Sequence, residues 1–184
     1  MLPVTRPLSP TRPYEPEPDD ELYDSLTGLP GRLLQRAHLV HALKRATRTG
    51  TQVAVLFLDV DDFHDVNDRL GRELADQVLV VLAARLRACL RGTDYTARLD
   101  GDEFAIVCED LTDSRDLAMV LRRISDVLAK PVRVGEASVE VRASVGSAMS
   151  AGTEQPGLLL NLANRSMSEV KRERHHHHLG RESP

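Results

Sequence analysis

The chain of 184 residues has no tryptophan, three phenylalanines and three tyrosines. With so few aromatics a core has to be built from Leu, Val and Ala. Hydrophobic residues make up 41% of the chain, enough for one domain with a sizeable core plus a tail. There are two cysteines, too few for a disulfide framework. Cys89 and Cys108 fall in apolar periodic segments, which predicts free, buried thiols. No apolar run approaches the ~18–20 residues of a spanning helix, and the first residues lack the apolar stretch of a signal peptide. A basic stripe is missing too. The net charge is -4, which argues against a nucleic-acid backbone binder. The expectation is a soluble, cytoplasmic protein with neither membrane nor nucleic-acid partner. A nucleotide site is compatible with this charge, because metal ions supply positive charge locally.

Prolines, by contrast, crowd one end. Pro3, Pro7, Pro10, Pro13, Pro16 and Pro18 precede the acidic run Asp19-Asp20-Glu21, so residues 1–23 read as a disordered arm, with no room for a sensor domain and open to a protein partner. At the other end, residues 175–184 carry His175–His178 and read as a flexible tail or an expression tag rather than a metal site. Between them lies one domain, residues 24–174. Pro30 suits a first helical position, followed by Leu33, Ala37, Val40 and Leu43 at helical spacing. Val53–Asp59 is a strand, apolar enough to be covered on both faces. Phe63–Leu70 reads as a loop or short helical turn. A long helix follows from Glu73 to Arg91, with Leu74, Val78, Leu82, Leu86 and Leu90 on one face and Gly92 as its stop. Strands Asp94–Leu99 and Glu103–Glu109 come next. Thr112 or Asp113 caps a helix whose face is Leu117, Val120, Leu121, Ile124 and Leu128, ended by Pro131. Val132–Val134 and Ser138–Met149 read as strands. Gly157–Arg174 is the last helix, with Leu158, Leu162, Ser166, Met167 and Val170 inward. The order α-β-α-β-β-α-β-β-α predicts an α/β protein of α+β type, with a mixed, largely antiparallel sheet covered by helices.

Two stretches carry chemistry. Arg98-Leu99-Asp100-Gly101-Asp102-Glu103-Phe104 joins two apolar runs, and Asp-Gly between such runs predicts a hairpin with a type I′ turn. Neighbouring side chains on a strand point to opposite faces, so Asp102 and Glu103 serve one site only if the turn itself is the site. Taken alone this is a solvated acidic turn. Leu56-Phe57-Leu58-Asp59-Val60-Asp61-Asp62-Phe63 alters that reading, because it is an apolar strand ending abruptly in acids. A carboxylate at the end of a buried strand, near a second acidic turn, builds a divalent-cation site for phosphate chemistry. An EF-hand loop starting at Asp59 is a poor match, since Phe63 and His64 take its fifth and sixth positions.

Asp59, Asp61 and Phe63, then Asn67, Asp68 and Gly71, then Asp100–Phe104 follow the order and spacing D-x-D-x-F, N-D-x-x-G and a signature hairpin. In these motifs the chain resembles the GGDEF family of diguanylate cyclases. Asp24–Pro30 is similar to that family's D-x-L-T-G-L-P-N-R opening, with Gly31 where Asn is usual and Arg32 kept. The resemblance covers residues 24–174, strongest at 24–34, 56–76 and 91–107 and weakest at 157–178. It implies a nucleotidyl-cyclase-like fold, GTP as substrate, cyclic di-GMP as product and a homodimer, since two GTPs must face each other. It also implies Mg²⁺ or Mn²⁺ held by Asp59, the Val60 carbonyl, Asp102 and Glu103, with Asp102 and Glu103 catalytic. Phe63, Asn67, Asp76, Asp100, Gly101, Lys171 and His175 fall at substrate-binding positions. Arg91 and Asp94 match an R-x-x-D site for feedback by the product.

By residue type alone the alternatives stay open. Asn67 is equally an Asx-turn and Asp76 a first-turn helix acid. Lys171 belongs to an exposed Lys-Arg run, and R-x-x-D is a common surface pair. The chain also departs from the pattern. Asp100 stands for the first Gly of the signature, Ala75 for the Gly before Asp76, His64 for a Lys and Arg72 for a His. Asn164, Ser166 and Ser168 replace the usual residues of the last helix. There Val170-Lys171-Arg172-Glu173-Arg174-His175 stands for A-K-x-x-G-R, with Arg174 one residue early. The Asp100 charge is expected to weaken GTP binding. A like charge at ~4 Å costs about 1 kcal/mol in water and about 4 at a dielectric of 20, roughly five-fold to a thousand-fold. The expectation is a weakened cyclase, and the alternative a degenerate domain that binds cyclic di-GMP or GTP.

Overall fold

A computed structural model describes residues 22–150 and 155–179, with side chains up to 174. The Pro-rich arm up to residue 21, the end of the tail and the His175 side chain lie outside the described residues. The elements run α1 (Arg32–Thr49), β1 (Gln52–Val60), α2 (Phe63–Leu70), α3 (Arg72–Cys89), β2 (Tyr95–Asp100), β3 (Glu103–Leu111), α4 (Ser114–Leu128), β4 (Val132–Val134), β5 (Ala137–Val139), β6 (Ala143–Met149) and α5 (Pro156–Leu179).

Four strands form one sheet in the order β2-β3-β1-β6, and every hydrogen-bonded pair is antiparallel. β2 runs parallel to β1, but β3 lies between them. This is the split β-α-β-β-α-β arrangement, flanked by α1 and α5. It is an α+β fold. β4 and β5 make a separate two-stranded hairpin.

β1 is the central strand, buried from Val53 through Val60. Alternation along it divides the core. Ala54, Leu56, Leu58 and Val60 join Phe104, Ile106 and Cys108 of β3 under α3 and α4, where Val78, Leu82, Leu86, Val120 and Ile124 meet them. Val53, Val55 and Phe57 join Ala105 and Val107 under α1 and α5, against Leu39, Ala42, Leu43, Ala46, Leu159, Ala163 and Met167. Cys89 and Cys108 are both free; Cys108 is buried and Cys89 half-buried. Among the described residues no helix is long and apolar enough to cross a membrane.

Several local expectations need correction. Of the two alternatives for Phe63–Leu70 the helical one forms, extended to a helix of 8 residues. The stretch Ser138–Met149 is divided between β5 and β6. Gly31 is the N-cap of α1, and Pro30 bridges back to Tyr23 instead of opening the helix. α1 turns Gln35, Leu39, Ala42, Leu43 and Ala46 inward and leaves Leu33 exposed. α5 buries Leu159, Ala163 and Met167 and leaves Leu158 and Leu162 exposed. The physical reason is closeness of approach. Each sheet-facing stripe contains alanines, and at Gly146 of β6 an added Cβ would lie 1.8 Å from the Met167 backbone nitrogen.

Candidate functional site

The site begins with strand register. Asp59 of β1 pairs directly with Glu103 of β3, and opposed residues of an antiparallel pair share a face, where like charges destabilise the sheet. That face is the one under α1 and α5. Asp59 is only 7% exposed.

The hairpin turn brings in the third carboxylate, in a manner the sequence did not predict. Asp100 pairs with Glu103, and the register slips between Arg98 and Asp100. Gly101 and Asp102 are therefore the central turn residues. Gly101 has a φ of 42°, whereas Asp100 does not enter the positive-φ region. The type I′ turn on Asp100-Gly101 is thus not formed, because an irregularity at Leu99 shifts the turn by one residue and re-aims its side chains. The Asp102 carbonyl accepts a hydrogen bond from the Val60 N–H at 3.4 Å, tying the turn to the end of β1.

Cations from both flanking helices reach this acidic pair. The Lys171 ammonium lies 2.6 Å from Asp59 Oδ1, and Arg32 lies 3.9 Å from Glu103 Oε2. They do not neutralise the crowding. Burial, followed by the Asp59 charge, raises the Asp102 carboxyl above its ordinary value, despite Lys171 and Arg98. Burial and then Asp59 also raise Glu103, with Arg32 opposing. Burial alone would lower Lys171, but its hydrogen bond and charge contact with Asp59 outweigh that and raise it.

Arg98 organises the turn from behind. Its guanidinium donates to the Gly101 carbonyl at 2.9 and 2.5 Å and to both oxygens of Asp24 at 2.8 and 2.9 Å. Asp24 also accepts from the Thr27 N–H and hydroxyl. Burial pushes the Asp24 carboxyl up, but these bonds outweigh it and hold it below its ordinary value. The Asp24–Pro30 opening is in this way fastened to the turn. Asp100 is exposed and receives no hydrogen bond from Arg98 among the described residues. The sequence pattern assigns no role to Asp24, Arg32 or Ser144, and marks Arg98 only as the first residue of the hairpin stretch. The sole local signals were an Arg just ahead of an Asp-Gly turn and a kept Arg32.

The remaining candidates fall in three places. Asp61 accepts from Ser144 Oγ at 2.6 Å and from Arg174 at 3.0 Å. Asp62, with φ 54°, starts α2, which carries Phe63 against the core. Asn67 and Asp76 lie half-buried on either side of Gly71. Gly71 ends α2 and begins α3 at φ 80°, a corner that favours glycine. Neither side chain is hydrogen-bonded among the described residues. Arg91 and Asp94 sit elsewhere, at the far end of β2, about 20 Å from the turn by strand rise. There the Asp94 carboxylate accepts from the Arg91 N–H at 2.9 Å, and the Arg91 side chain is exposed.

The donor set suits a hard divalent cation, being carboxylate and main-chain oxygens beside crowded like charges. Among the described residues no three His, Cys, Asp or Glu side chains close a cation site on their own.

Comparison with known proteins agrees with this geometry. The family model described as diguanylate cyclase, GGDEF domain, matches residues 21–177. Diguanylate cyclase TpbB of Pseudomonas aeruginosa is 38% identical over 153 residues, 82% of this chain and 35% of that protein. The chain thus spans about a third of that relative's length. A solved GGDEF domain of TpbB superimposes with a TM-score of 0.79 at 37% identity, covering 82% of this chain and 89% of that one. Diguanylate cyclase SiaD of Pseudomonas aeruginosa, solved in complex with its activator SiaC, gives 0.76 at 34% identity, covering 83% and 58%.

Proposed function

The chain belongs to the GGDEF family, and from that premise we propose that residues 24–174 form a diguanylate cyclase domain. It joins two GTP molecules into cyclic di-GMP. In each of two steps a 3′-hydroxyl attacks an α-phosphate, a phosphodiester bond forms, and pyrophosphate leaves as the bond between the α-phosphate and the bridging oxygen breaks. The observation that carries this reading is the direct opposition of Asp59 and Glu103 on the β1–β3 ladder, with Asp102 raised beside them.

Asp59, the Val60 carbonyl, Asp102 and Glu103 are the groups that would hold Mg²⁺ or Mn²⁺. When bound, such ions lower the pKa of an attacking hydroxyl and offset charge on the leaving phosphates. Burial and the Asp59 charge raise the Asp102 and Glu103 carboxyls above their ordinary values, and a carboxylate at the turn is the group that would accept the hydroxyl proton. Asn67 and Asp76 are unengaged and chemically matched to the edge of guanine, whose N–H groups a carboxylate accepts. Gly101 and Phe63 shape the turn and the α2 floor. Lys171 is the phosphate cation of α5. Two domains must face each other to close the ring, so the working unit is a homodimer, in the cytoplasm where GTP is available. The exposed Arg91 guanidinium, with Asp94 holding its turn, suits bidentate capture of product phosphate or guanine, and so feedback inhibition.

Purified protein incubated with GTP and Mg²⁺, then Mn²⁺, is expected to yield cyclic di-GMP by mass, and Asp59→Asn none. Asp100 at the turn favours a second reading, a retired cyclase that binds cyclic di-GMP or GTP. Absence of product at high protein concentration, with cyclic di-GMP still bound, would select it.

A further inference from the structure

β1 and α5 change character at the same level of the molecule. On β1, Val53, Val55 and Phe57 face the α1/α5 layer, and Asp59 and Asp61 follow at the same two-residue spacing. On α5, Leu159, Ala163 and Met167 are buried at four-residue intervals. Lys171 and Arg174, at i+4 and i+7 from Met167, continue that face. The two polarity changes meet, with Lys171 at 2.6 Å from Asp59 and Arg174 at 3.0 Å from Asp61. Gly146 fixes the level. Its missing Cβ would lie 1.8 Å from the Met167 nitrogen, 2.3 Å from its Cα and 2.5 Å from the Ser166 carbonyl carbon. The backbone of α5 therefore rests directly on β6.

Arg174 completes the contact. It donates to Asp61 Oδ2 at 3.0 Å and to the Ala143 carbonyl at 2.8 Å. Asp61 Oδ1 accepts from Ser144 Oγ at 2.6 Å, and the Asp61 N–H donates to the Arg142 carbonyl at 2.9 Å. Ser144 is itself the register partner of Asp59. Both oxygens of Asp61 are thus committed to protein donors, which join the end of β1, the start of β6 and the last turns of α5.

We infer that Arg174 is a positioning residue. Through Asp61 it clasps α5 to the acidic end of the sheet and so sets Lys171 on Asp59. One residue later, at 175, a cation would sit about 100° further round the helix, off the face that Met167 and Lys171 share. The inference deepens the cyclase reading and rests on it for the ligand that Lys171 serves, whereas the clasp itself is a property of this chain's fold.

The test reads Lys171 directly. The full chain is acylated with a water-soluble N-hydroxysuccinimide ester, and labelling of each lysine is followed by peptide mass spectrometry. Lys44 and Lys130, both exposed, serve as internal references. Arg174→Ala and Asp61→Asn should each raise the Lys171 rate about five-fold or more relative to those references. The double variant should go no further than the larger single effect, and Arg174→Lys should recover part of the protection. In the cyclase assay Arg174→Ala should raise the KM for GTP several-fold with kcat nearly unchanged. An unchanged Lys171 rate, a rise shared equally by all three lysines, or strictly additive single effects would overturn the clasp. Faster labelling with an unmoved KM in an active enzyme would overturn its positioning role. Wild-type protein that makes no cyclic di-GMP would sink the cyclase reading, while the labelling still decides the clasp.

Discussion

The two ends of β3 hold acids in opposite conditions. At its far end Glu109 is 4% exposed, yet His38 Nε2 lies 2.9 Å from one oxygen and Arg45 2.9 Å from the other. His38 in turn stacks on Tyr95, with ring centroids 4.0 Å apart. Every charge there has a partner. At its near end Glu103 opposes Asp59 across the ladder, and the helix cations leave Asp102 and Glu103 raised. A buried carboxylate with satisfied partners stabilises a fold. Carboxylates crowded against each other and raised by burial cluster at functional sites more than elsewhere. The contrast makes the near end the better candidate for a binding site on physical grounds, without recourse to a motif.

The sharpest way to break the comparison is to change one acid at each end. Asp59→Asn should lower cyclic di-GMP formation at least about a hundred-fold, the scale lost with one group that stabilises transition-state charge, and should leave the circular dichroism spectrum near wild type. Full activity in this variant would remove Asp59 from the site. Glu109→Gln should do the reverse. Breaking one side of a buried ion pair costs about 3–5 kcal/mol. Arg45 is partly exposed and also reaches Asp110, so about 1–3 kcal/mol is expected here. Urea unfolding would measure it, and turnover per folded molecule should hold. A large activity loss at unchanged stability would mean that the far end is not merely structural.

A smaller effect separates Asp100 from its neighbours. The sequence left its charge cost anywhere between about 1 and 4 kcal/mol. The structure leaves Asp100 exposed, which selects the aqueous end of that range. Asp100→Gly should therefore raise activity about five-fold, read as initial rate at sub-saturating GTP. A fall in rate would refute charge repulsion and make Asp100 a useful part of the turn.

Much of this was legible in the residues. β1 announces itself because it is apolar on both faces, and its abrupt change at Asp59 marks the end of the buried sheet. The adjacency of Asp102 and Glu103 marks the turn as a site. Other features depend on pairings that no local pattern encodes. The irregularity at Leu99, which moves the turn onto Gly101 and Asp102, is a register event between β2 and β3. The Arg98–Asp24 contact joins residues far apart in the chain. The inward faces of α1 and α5 do not follow apolar size, because Leu33, Leu158 and Leu162 are large and apolar yet exposed. The real faces are set by small residues that permit close approach, Ala42, Ala46, Ala163 and, across from α5, Gly146. Side-chain size on the opposing layer decides this, and one strand's sequence does not contain it.

The smallest effect is in the pH dependence of stability, and it tests the comparison with no assay of function. Asp102 and Glu103 have folded-state values above 3.8 and 4.5, so between the unfolded and folded values the native state binds more protons than the unfolded one. By linkage, stability falls as pH rises through that window. The penalty is fully present above the folded values and absent below the unfolded ones. Asp24 contributes with the opposite sign. Its folded value lies below 3.8, so its stabilisation is present above the unfolded value and is lost as pH falls through the folded one. Melting temperature followed upward from pH 4 should therefore show a decline in wild type that Glu103→Gln flattens. Arg98→Ala should instead remove stability retained at neutral pH and weaken the loss below pH 4. Mg²⁺ should raise the neutral-pH melting temperature of wild type but not of Asp59→Asn, because a cation relieves the same crowding. If Glu103→Gln melts with the wild-type pH profile, the acids at the turn do not repel one another and the contrast between the two ends of β3 fails.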